Sequence, residues 1–332
     1  MVKITLNEGA GGEAMQKFIK DLVSRIELKK TPDGSGLDKL EDAGILKIGD
    51  TNIALTTDTY TVNPIFFPGG DIGKLAFCGT VNDLAVMGAQ PLALSLAFVI
   101  EDGMEKKDVE RIMDSINEQS KLSGIPIITG DTKVVEKGKV DKIIINTAGI
   151  GVVKYDVSNY WAKPGNIMIV SGSVGDHGLS LLAKRFGFES KLESDCTCLW
   201  NVIKELIKID GIYSMKDPTR GGLAACLNEI AKKSNVGIYV REENIPVKAE
   251  AKVIGETLGV DPLQTACEGR LVLSVDRYSV DKIMKILKKF NQDTSIIGEV
   301  KETPKGKVII ETLSGGKRFL ESPIGEAYPR IC

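Results

Sequence analysis

Residues 69–88 read Gly69-Gly-Asp-Ile-Gly-Lys-Leu-Ala-Phe-Cys-Gly-Thr-Val-Asn-Asp-Leu-Ala-Val-Met-Gly88, a glycine-rich turn that feeds an apolar helix. The turn is not a nucleotide P-loop. Leu75 stands where a Ser or Thr would hold magnesium, and Pro68 stands where the first glycine would be. Lys74 is therefore, by default, a solvated helix lysine. Within the helix Asp83 lies between Val81, Leu84 and Ala85, and a carboxylate in such surroundings needs a partner. Downstream, residues 92–100 form a buried strand, and 105–122 carry Val109, Ile112, Met113 and Ile116 at helical spacing. Upstream, the strand Ile53-Ala-Leu-Thr-Thr ends at Asp58. This alternation of strand and helix is of the α/β type.

The flanks extend the pattern. Val2, Ile4 and Leu6 alternate as in a strand, and Gly9-Ala-Gly-Gly12 opens a helix from Glu13 to about Ile26. Residues 31–44 are rich in Gly, Asp, Lys and Pro and read as a mobile loop. Residues 125–129 and 142–153 are two further strands. Trp161-Ala-Lys-Pro-Gly165 marks the boundary between two lobes. Beyond it, strands at 167–170, 237–240, 271–275, 295–300 and 308–311 mix with helices at 178–186, 197–209, from 222, at 249–258 and at 280–290. The expected division is a Gly-rich N-terminal segment (1–44), a first lobe (45–155), a second α/β lobe (160–312) and a mobile tail (322–332).

Composition excludes whole classes. In 332 residues, 43 Lys+Arg against 45 Asp+Glu give a formal charge of −2, without the basic face a nucleic-acid binder needs. Aromatics at 5% leave few platforms for stacking bases. The longest apolar stretch, residues 91–100, is too short to cross a bilayer, and the N-terminus lacks a signal-peptide core. His177 is the one histidine, so multi-histidine zinc sites are excluded. The six cysteines form no C-x-x-C pair, and five lie in apolar or helical-looking sequence. Reduced thiols in a cytoplasmic protein are the expectation.

Gly9-x-Gly11-x-x-Ala14 matches a dinucleotide fingerprint formally, but no second strand with an acidic end follows. A glycine turn at a helix start can still hold a phosphate. More informative are aspartates at the ends of apolar segments: Asp42, Asp58 and Asp131, with Asp83 in its helix. Each alone reads as a cap or turn residue. Together they suit one or two Mg²⁺ ions carrying a nucleotide triphosphate. Cys332 closes the sequence, where core packing of a thiol cannot be assumed. An extended arm of eleven residues reaches roughly 36 Å, enough to enter a pocket and to visit a partner.

These segments resemble the HypE family of hydrogenase maturation factors, within the PurM-like (aminoimidazole-ribonucleotide-synthetase) superfamily of ATP-binding enzymes. The resemblance covers nearly the whole chain. It rests on Gly9-Ala-Gly-Gly12, Thr57-Asp-Thr59, the run from Phe66 through Leu75, Cys78 through Gly88, and Thr129-Gly-Asp-Thr-Lys133. It continues in Gly175-Asp-His-Gly178, Asp217-Pro-Thr-Arg-Gly-Gly222, Ala266-Cys-Glu-Gly269 and Pro329-Arg-Ile-Cys332. The resemblance implies a two-lobed chain whose first-lobe strands contribute to a barrel at a homodimer interface. It implies that Cys332 receives a carbamoyl group from the carbamoyltransferase HypF. ATP then drives dehydration of this thiocarboxamide to a thiocyanate, and cyanide passes to iron on a HypC–HypD complex for the NiFe-hydrogenase site.

By the same resemblance Cys332, Glu268 and Lys133 are the catalytic candidates, with Glu268 as the base. Gly11, Gly12, Asp58, Lys74, Asp83, Asp131 and Arg220 are the ATP candidates, and Asp42, Asp58, Asp83 and Asp131 the Mg²⁺ candidates. Arg220 reads equally as a phosphate contact or as a helix-start ion pair. His177 reads as a loop contact near the site. Two other readings stand beside this one: another ATP-using superfamily enzyme, of the selenophosphate synthetase or thiamine-phosphate kinase type, and a non-catalytic thiol carrier for metal-centre assembly.

Overall fold

Alternating burial along extended segments builds the first sheet. The computed structural model describes residues 3–9, 12–158, 160–323, 328 and 330–332. Its first lobe runs α1 (Gly12–Ser24), β1 (Gly44–Ile48), β2 (Thr51–Tyr60), β3 (Phe66–Phe67), β4 (Gly70–Asp71), α2 (Ile72–Val86), β5 (Ala89–Glu101), α3 (Lys106–Ser123), β6 (Ile127–Val135) and β7 (Ile143–Val153). Five strands pair in the order β1-β2-β7-β5-β6, and β5–β6 is the parallel pair. On β2, Ala54, Thr56 and Tyr60 are buried on the side of α2, while Leu55, Thr57 and Thr59 stand on the open face. Leu55 pairs directly with Ile150 of β7 on that face, and they are 51% and 39% exposed.

α2 is buried on all sides except at Lys74 and Asp83. Asp71 starts it, its carboxylate accepting from the backbone N–H groups of Gly73 at 2.8 Å and Lys74 at 3.0 Å. Gly73 lets α3 approach closely, since a Cβ there would lie 2.6 Å from the Ile112 carbonyl oxygen.

The second lobe runs β8 (Ile167–Val170), α4 (Asp176–Phe186), α5 (Trp200–Leu206), β9 (Ile212–Lys216), α6 (Gly222–Ser234), β10 (Gly237–Arg241), α7 (Ala249–Leu258), β11 (Val272–Val275), α8 (Val280–Phe290), β12 (Ser295–Lys301), β13 (Lys307–Glu311) and β14 (Lys317–Phe319). Its sheet has the order β14-β13-β10-β12-β8-β11-β9, and β10–β13 is parallel. Both faces are covered, so strand residues are apolar on each side. Along β8, Met168 and Val170 join the cluster of α6, while Ile167 and Ile169 join that of α5 and α8. A third cluster fuses the lobes, drawing Leu75 and Phe77 of α2 together with Leu179 and Leu182 of α4.

Several expectations change. Ile4 and Leu6 are exposed, and residues 6–9 form a 3-10 turn instead of continuing a strand; among the described residues no strand pairs with them. Val2 lies outside the described residues. β6 continues past residue 129 to Val135 because β5 supplies its hydrogen-bonding partners. β9 was absent from the pattern, and the second sheet runs past residue 312 into β14, a short exposed hairpin strand. Residues 31–44 are pinned rather than loose: Ser35 bridges Ile45, and Lys233 donates to the Leu40 carbonyl at 2.6 Å. The five-stranded sheet of one chain is open. No described helix is long and apolar enough to cross a membrane.

Candidate functional site

The cleft between the lobes gathers carboxylates from four elements. Asp42 precedes β1, Asp58 is on β2, Asp83 on α2, and Asp217 directly follows β9. Carboxylate oxygens of Asp42, Asp83 and Asp217 all lie within 4.8 Å of one another. Thr56 Oγ1 lies 2.9 Å from Asp83 Oδ2, and Thr80 Oγ1 donates to Asp58 Oδ2 at 3.1 Å. Lys216 reaches across the cleft to pair with Asp42, and its Nζ is 3.7 Å from Glu229.

Crowded acids out of water hold their protons. Burial pushes the Asp83 carboxyl well above the carboxylate range, and Asp58, Asp217 and Asp42 push it further. Burial, then Asp42, raises Asp217 to about 7. Asp58 is raised by burial as well, against the pull of Asp83, Thr80 and Arg220. Asp42 Oδ2 is buried without a hydrogen-bond partner. A cluster of hard oxygens with one orphaned atom, whose acids are held protonated by crowding and burial, fits a divalent cation of the Mg²⁺ kind that would take the place of those protons. Among the described residues it is the one cluster of this type.

Glu268 stands beside this cluster. It is 2% exposed, and its Oε1 has no hydrogen-bond partner. Its backbone is fixed on both sides: the N–H donates to Asp195 Oδ1 at 3.3 Å, and the carbonyl accepts from Asn82 of α2 at 3.3 Å. Burial raises its carboxyl well above the usual range, Cys196, Asp217 and Asp195 add to that, and Arg220 opposes it. Tyr60 links the two groups, its phenol raised first by burial and then by Asp58, Asp83 and Glu268. Gly79 makes room for it, since a Cβ there would fall 2.1 Å from the Tyr60 hydroxyl.

The end of the chain is seated in the same region. Arg330 Nε donates to the Thr61 carbonyl at 2.7 Å and its guanidinium pairs with Asp141. The Arg330 carbonyl accepts from Asn63 N at 3.1 Å and from Arg185 Nη2 at 3.0 Å. Ile331 is buried, and Cys332 is half-buried against the apolar cluster that fuses the lobes, which also holds Cys78, Cys196 and Cys198. His177 is fully buried, with Nε2 2.8 Å from the Ile331 carbonyl oxygen and Nδ1 2.7 Å from Ser194 Oγ. Burial pushes its pKa down, so the ring is neutral.

The structure thus brings together Asp42, Asp58, Asp83, Arg220 and Glu268, with Cys332 packed on the adjoining core. Arg220 acts on Asp58 and Glu268 from the loop before α6. Asp131 and Lys133 lie elsewhere in one chain. Strand register sets Asp131 level with Ala97, Asn146 and Thr59, on the face opposite Asp58 and three strands away, about 14 Å. The two pair with each other at 3.4 Å and are 65% and 69% exposed on an edge strand. Lys74 closes its own turn, donating to the Gly69 carbonyl at 2.8 Å. Gly12 opens α1, which packs on the turn Leu6–Gly9, and Gly11 lies outside the described residues. Sequence reasoning missed Asp217 and Lys216 as members of the cluster. The available signal was an aspartate just after an apolar strand, but that strand itself, β9, was not recognised.

Comparison with known proteins follows the same outline. The AIR synthase related protein N-terminal domain matches residues 40–153, and the corresponding C-terminal domain matches 163–311. A carbamoyl dehydratase HypE of Rhizobium leguminosarum bv. viciae is 42% identical over 99% of this chain and 95% of its own length. The crystal structure of a HypE–HypF complex contains a chain 42% identical, with TM-score 0.85, covering 94% of this chain and 100% of that one. A structure of the hydrogenase maturation protein HypE with ATP is 38% identical, with TM-score 0.83, over 99% of this chain and 100% of that one.

Proposed function

The chain belongs to the carbamoyl dehydratase HypE family, and on that premise we propose that it uses ATP to dehydrate a carbamoyl group carried on Cys332, turning a thiocarboxamide into a thiocyanate. An amide oxygen leaves poorly, so it first attacks the γ-phosphorus of ATP. ADP departs, and the oxygen becomes part of a phosphate leaving group. Loss of both amide protons and of phosphate then leaves carbon triply bonded to nitrogen.

Glu268 is the base for an amide proton. The observation that supports this most is its buried Oε1, without a partner and with raised proton affinity, beside the core on which Cys332 packs. The positive charge of Arg220 acts on both Glu268 and Asp58, which favours a phosphoryl contact over a helix-start ion pair. Asp42, Asp58, Asp83 and Asp217 are the residues that would hold Mg²⁺ with the ATP phosphates. The ion's part there is to offset charge on the phosphate oxygens. Gly11 and Gly12, with Lys74, complete the ATP set in this reading.

Asp131 and Lys133 fit through a homodimer. The exposed Leu55–Ile150 pair and the exposed Ile128 and Val134 of β6 leave one face and one edge of the first sheet to be covered. A second copy there would close the sheets into a barrel and bring Asp131 and Lys133 to the partner's phosphates. HypF is the carbamoyl donor in this account and the HypC–HypD iron complex the cyanide acceptor, in the cytoplasm.

The test is ATP turnover. Protein carbamoylated on Cys332 hydrolyses ATP in step with water loss, while uncarbamoylated protein and Cys332→Ala bind ATP without turnover. Turnover indifferent to Cys332 would favour a kinase-type superfamily reaction instead.

A further inference from the structure

We propose that His177 is a positioning residue for Cys332: its Nε2–H latches the Ile331 carbonyl, and Ser194 sets the tautomer that makes the latch possible. The proposal deepens the dehydration reading and rests on it.

A carbonyl oxygen only accepts, so the proton at this contact sits on Nε2, and a neutral ring then leaves Nδ1 as an acceptor. Ser194 completes the relay. Its hydroxyl accepts from Cys196 N at 3.0 Å and donates to Nδ1 at 2.7 Å. Phe67 packs edge-on against the imidazole, centroids 5.4 Å apart, and holds the ring in plane with its two partners.

The geometry gives this bond a task that the other tail contacts do not perform. Arg330 is fixed through its guanidinium and its carbonyl, two residues before the thiol. Rotations about Ile331 would still sweep Cys332 over a wide arc. The peptide between Ile331 and Cys332 is planar, so fixing its oxygen fixes the direction in which Cys332 leaves the backbone. His177 holds that oxygen from α4, and Gly178 beside it lets α4 pack closely on Thr265, whose Cγ2 would lie 2.4 Å from a Cβ there. Arg330 takes φ +60°, a left-handed conformation unfavourable for a side-chain-bearing residue. The seat therefore works against a local backbone cost, and a single well-placed hydrogen bond weighs correspondingly more in the docked population. Ser194 is next to Asp195, which anchors the Glu268 backbone, so one short segment sets both the latch and the base.

Alkylation of Cys332 by iodoacetamide, read by mass spectrometry of the C-terminal peptide from the full chain, tests this. The probe involves neither ATP nor a carbamoyl donor, so failure here leaves the dehydration reading to its own test. His177→Phe and Ser194→Ala should label Cys332 roughly two- to tenfold faster than wild type, the range one net hydrogen bond supports. His177→Gln, whose amide N–H can reach the same carbonyl, should restore protection. The five buried thiols, Cys78, Cys196, Cys198, Cys226 and Cys267, report folding by staying unlabelled. If they label in His177→Phe, Ser194→Ala and His177→Gln decide. Unchanged labelling in Ser194→Ala, or His177→Gln labelling as fast as a folded His177→Phe, would overturn the latch.

Discussion

Asp195 grips Glu268 by its backbone: one carboxylate oxygen of Asp195 accepts the Glu268 N–H at 3.3 Å, and the other accepts the Gly269 N–H at 3.2 Å. Arg270 Nε lies 3.6 Å from the same carboxylate, and Gly269 leaves no room for a side chain, since a Cβ would sit 1.9 Å from the Asp195 carbonyl oxygen. The side chain of Glu268 is thereby aimed without any hydrogen bond to its Oε1. Removing the grip in Asp195→Ala should lower stability by about 1–3 kcal/mol, since two buried N–H groups lose their acceptor and Arg270 loses a charge partner. Asp195→Asn, which can accept only one of the two, should fall between. Thermal denaturation checks the order, and equal melting temperatures for all three proteins would contradict it.

Glu268 should govern the acid limb of dehydration. A base must be ionised, and burial holds this carboxyl well above its ordinary 4.5, so activity should rise with pH through that raised value. The stability sign runs the other way. Between 4.5 and the raised value the folded chain keeps a proton that the unfolded chain releases, so stability is present at low pH and declines as pH climbs through that window. Glu268→Gln should lose turnover and also this pH-dependent decline, becoming the more stable protein on the alkaline side. Melting curves across pH with parallel slopes for both proteins would contradict the assignment.

The carboxylate cluster predicts a crossing of effects. Without metal, Asp217→Asn should raise the melting temperature, because a buried acid crowded by Asp42 and raised to about 7 is replaced by a neutral amide. With Mg²⁺ and ATP, wild type should gain several degrees and Asp217→Asn much less, as binding to the native state stabilises by mass action. Thermal shift with and without Mg²⁺ reads both. A variant that gains as much as wild type would remove Asp217 from the cation site.

Much of this was legible in the chain. Asp83 announced itself because a carboxylate sat in an apolar helix, and the structure surrounds it with three more acids. α2 was legible because burial on nearly every side demands continuous apolar sequence, and β5 because its run of apolar residues is long, although Gln90 and Leu92 stand exposed on the open face. β9 was not, since Ile212-Tyr-Ser-Met-Lys216 mixes polar residues into a strand and buries Ser214 within it. With β9 went Asp217. His177 read only as a loop contact because its partner, Ile331, is 154 residues away, a separation no local pattern encodes. β6 was cut short because an edge strand takes its hydrogen bonds from β5 and needs no apolar alternation of its own.

Gly222 tests the loop that carries Asp217 and Arg220. It has φ +59°, and a Cβ would lie 2.5 Å from the Thr265 carbonyl oxygen and 2.8 Å from its nitrogen. Gly222→Ala meets backbone atoms and a left-handed conformation at once, and should cost about 1–3 kcal/mol. Urea unfolding measures it, and a change within a few tenths of a kcal/mol would show that the loop relaxes freely.

On the proposed reading, Cys332 carries the group that ATP dehydrates. Intact mass and C-terminal-peptide mass, measured after carbamoylation by HypF and again after Mg²⁺ and ATP are added, follow it directly. A carbamoyl group is expected on Cys332 and on none of the five buried cysteines, followed by loss of the mass of one water from that peptide. Label on Cys78 or Cys267, or ATP consumed with no water lost from the Cys332 peptide, would contradict it.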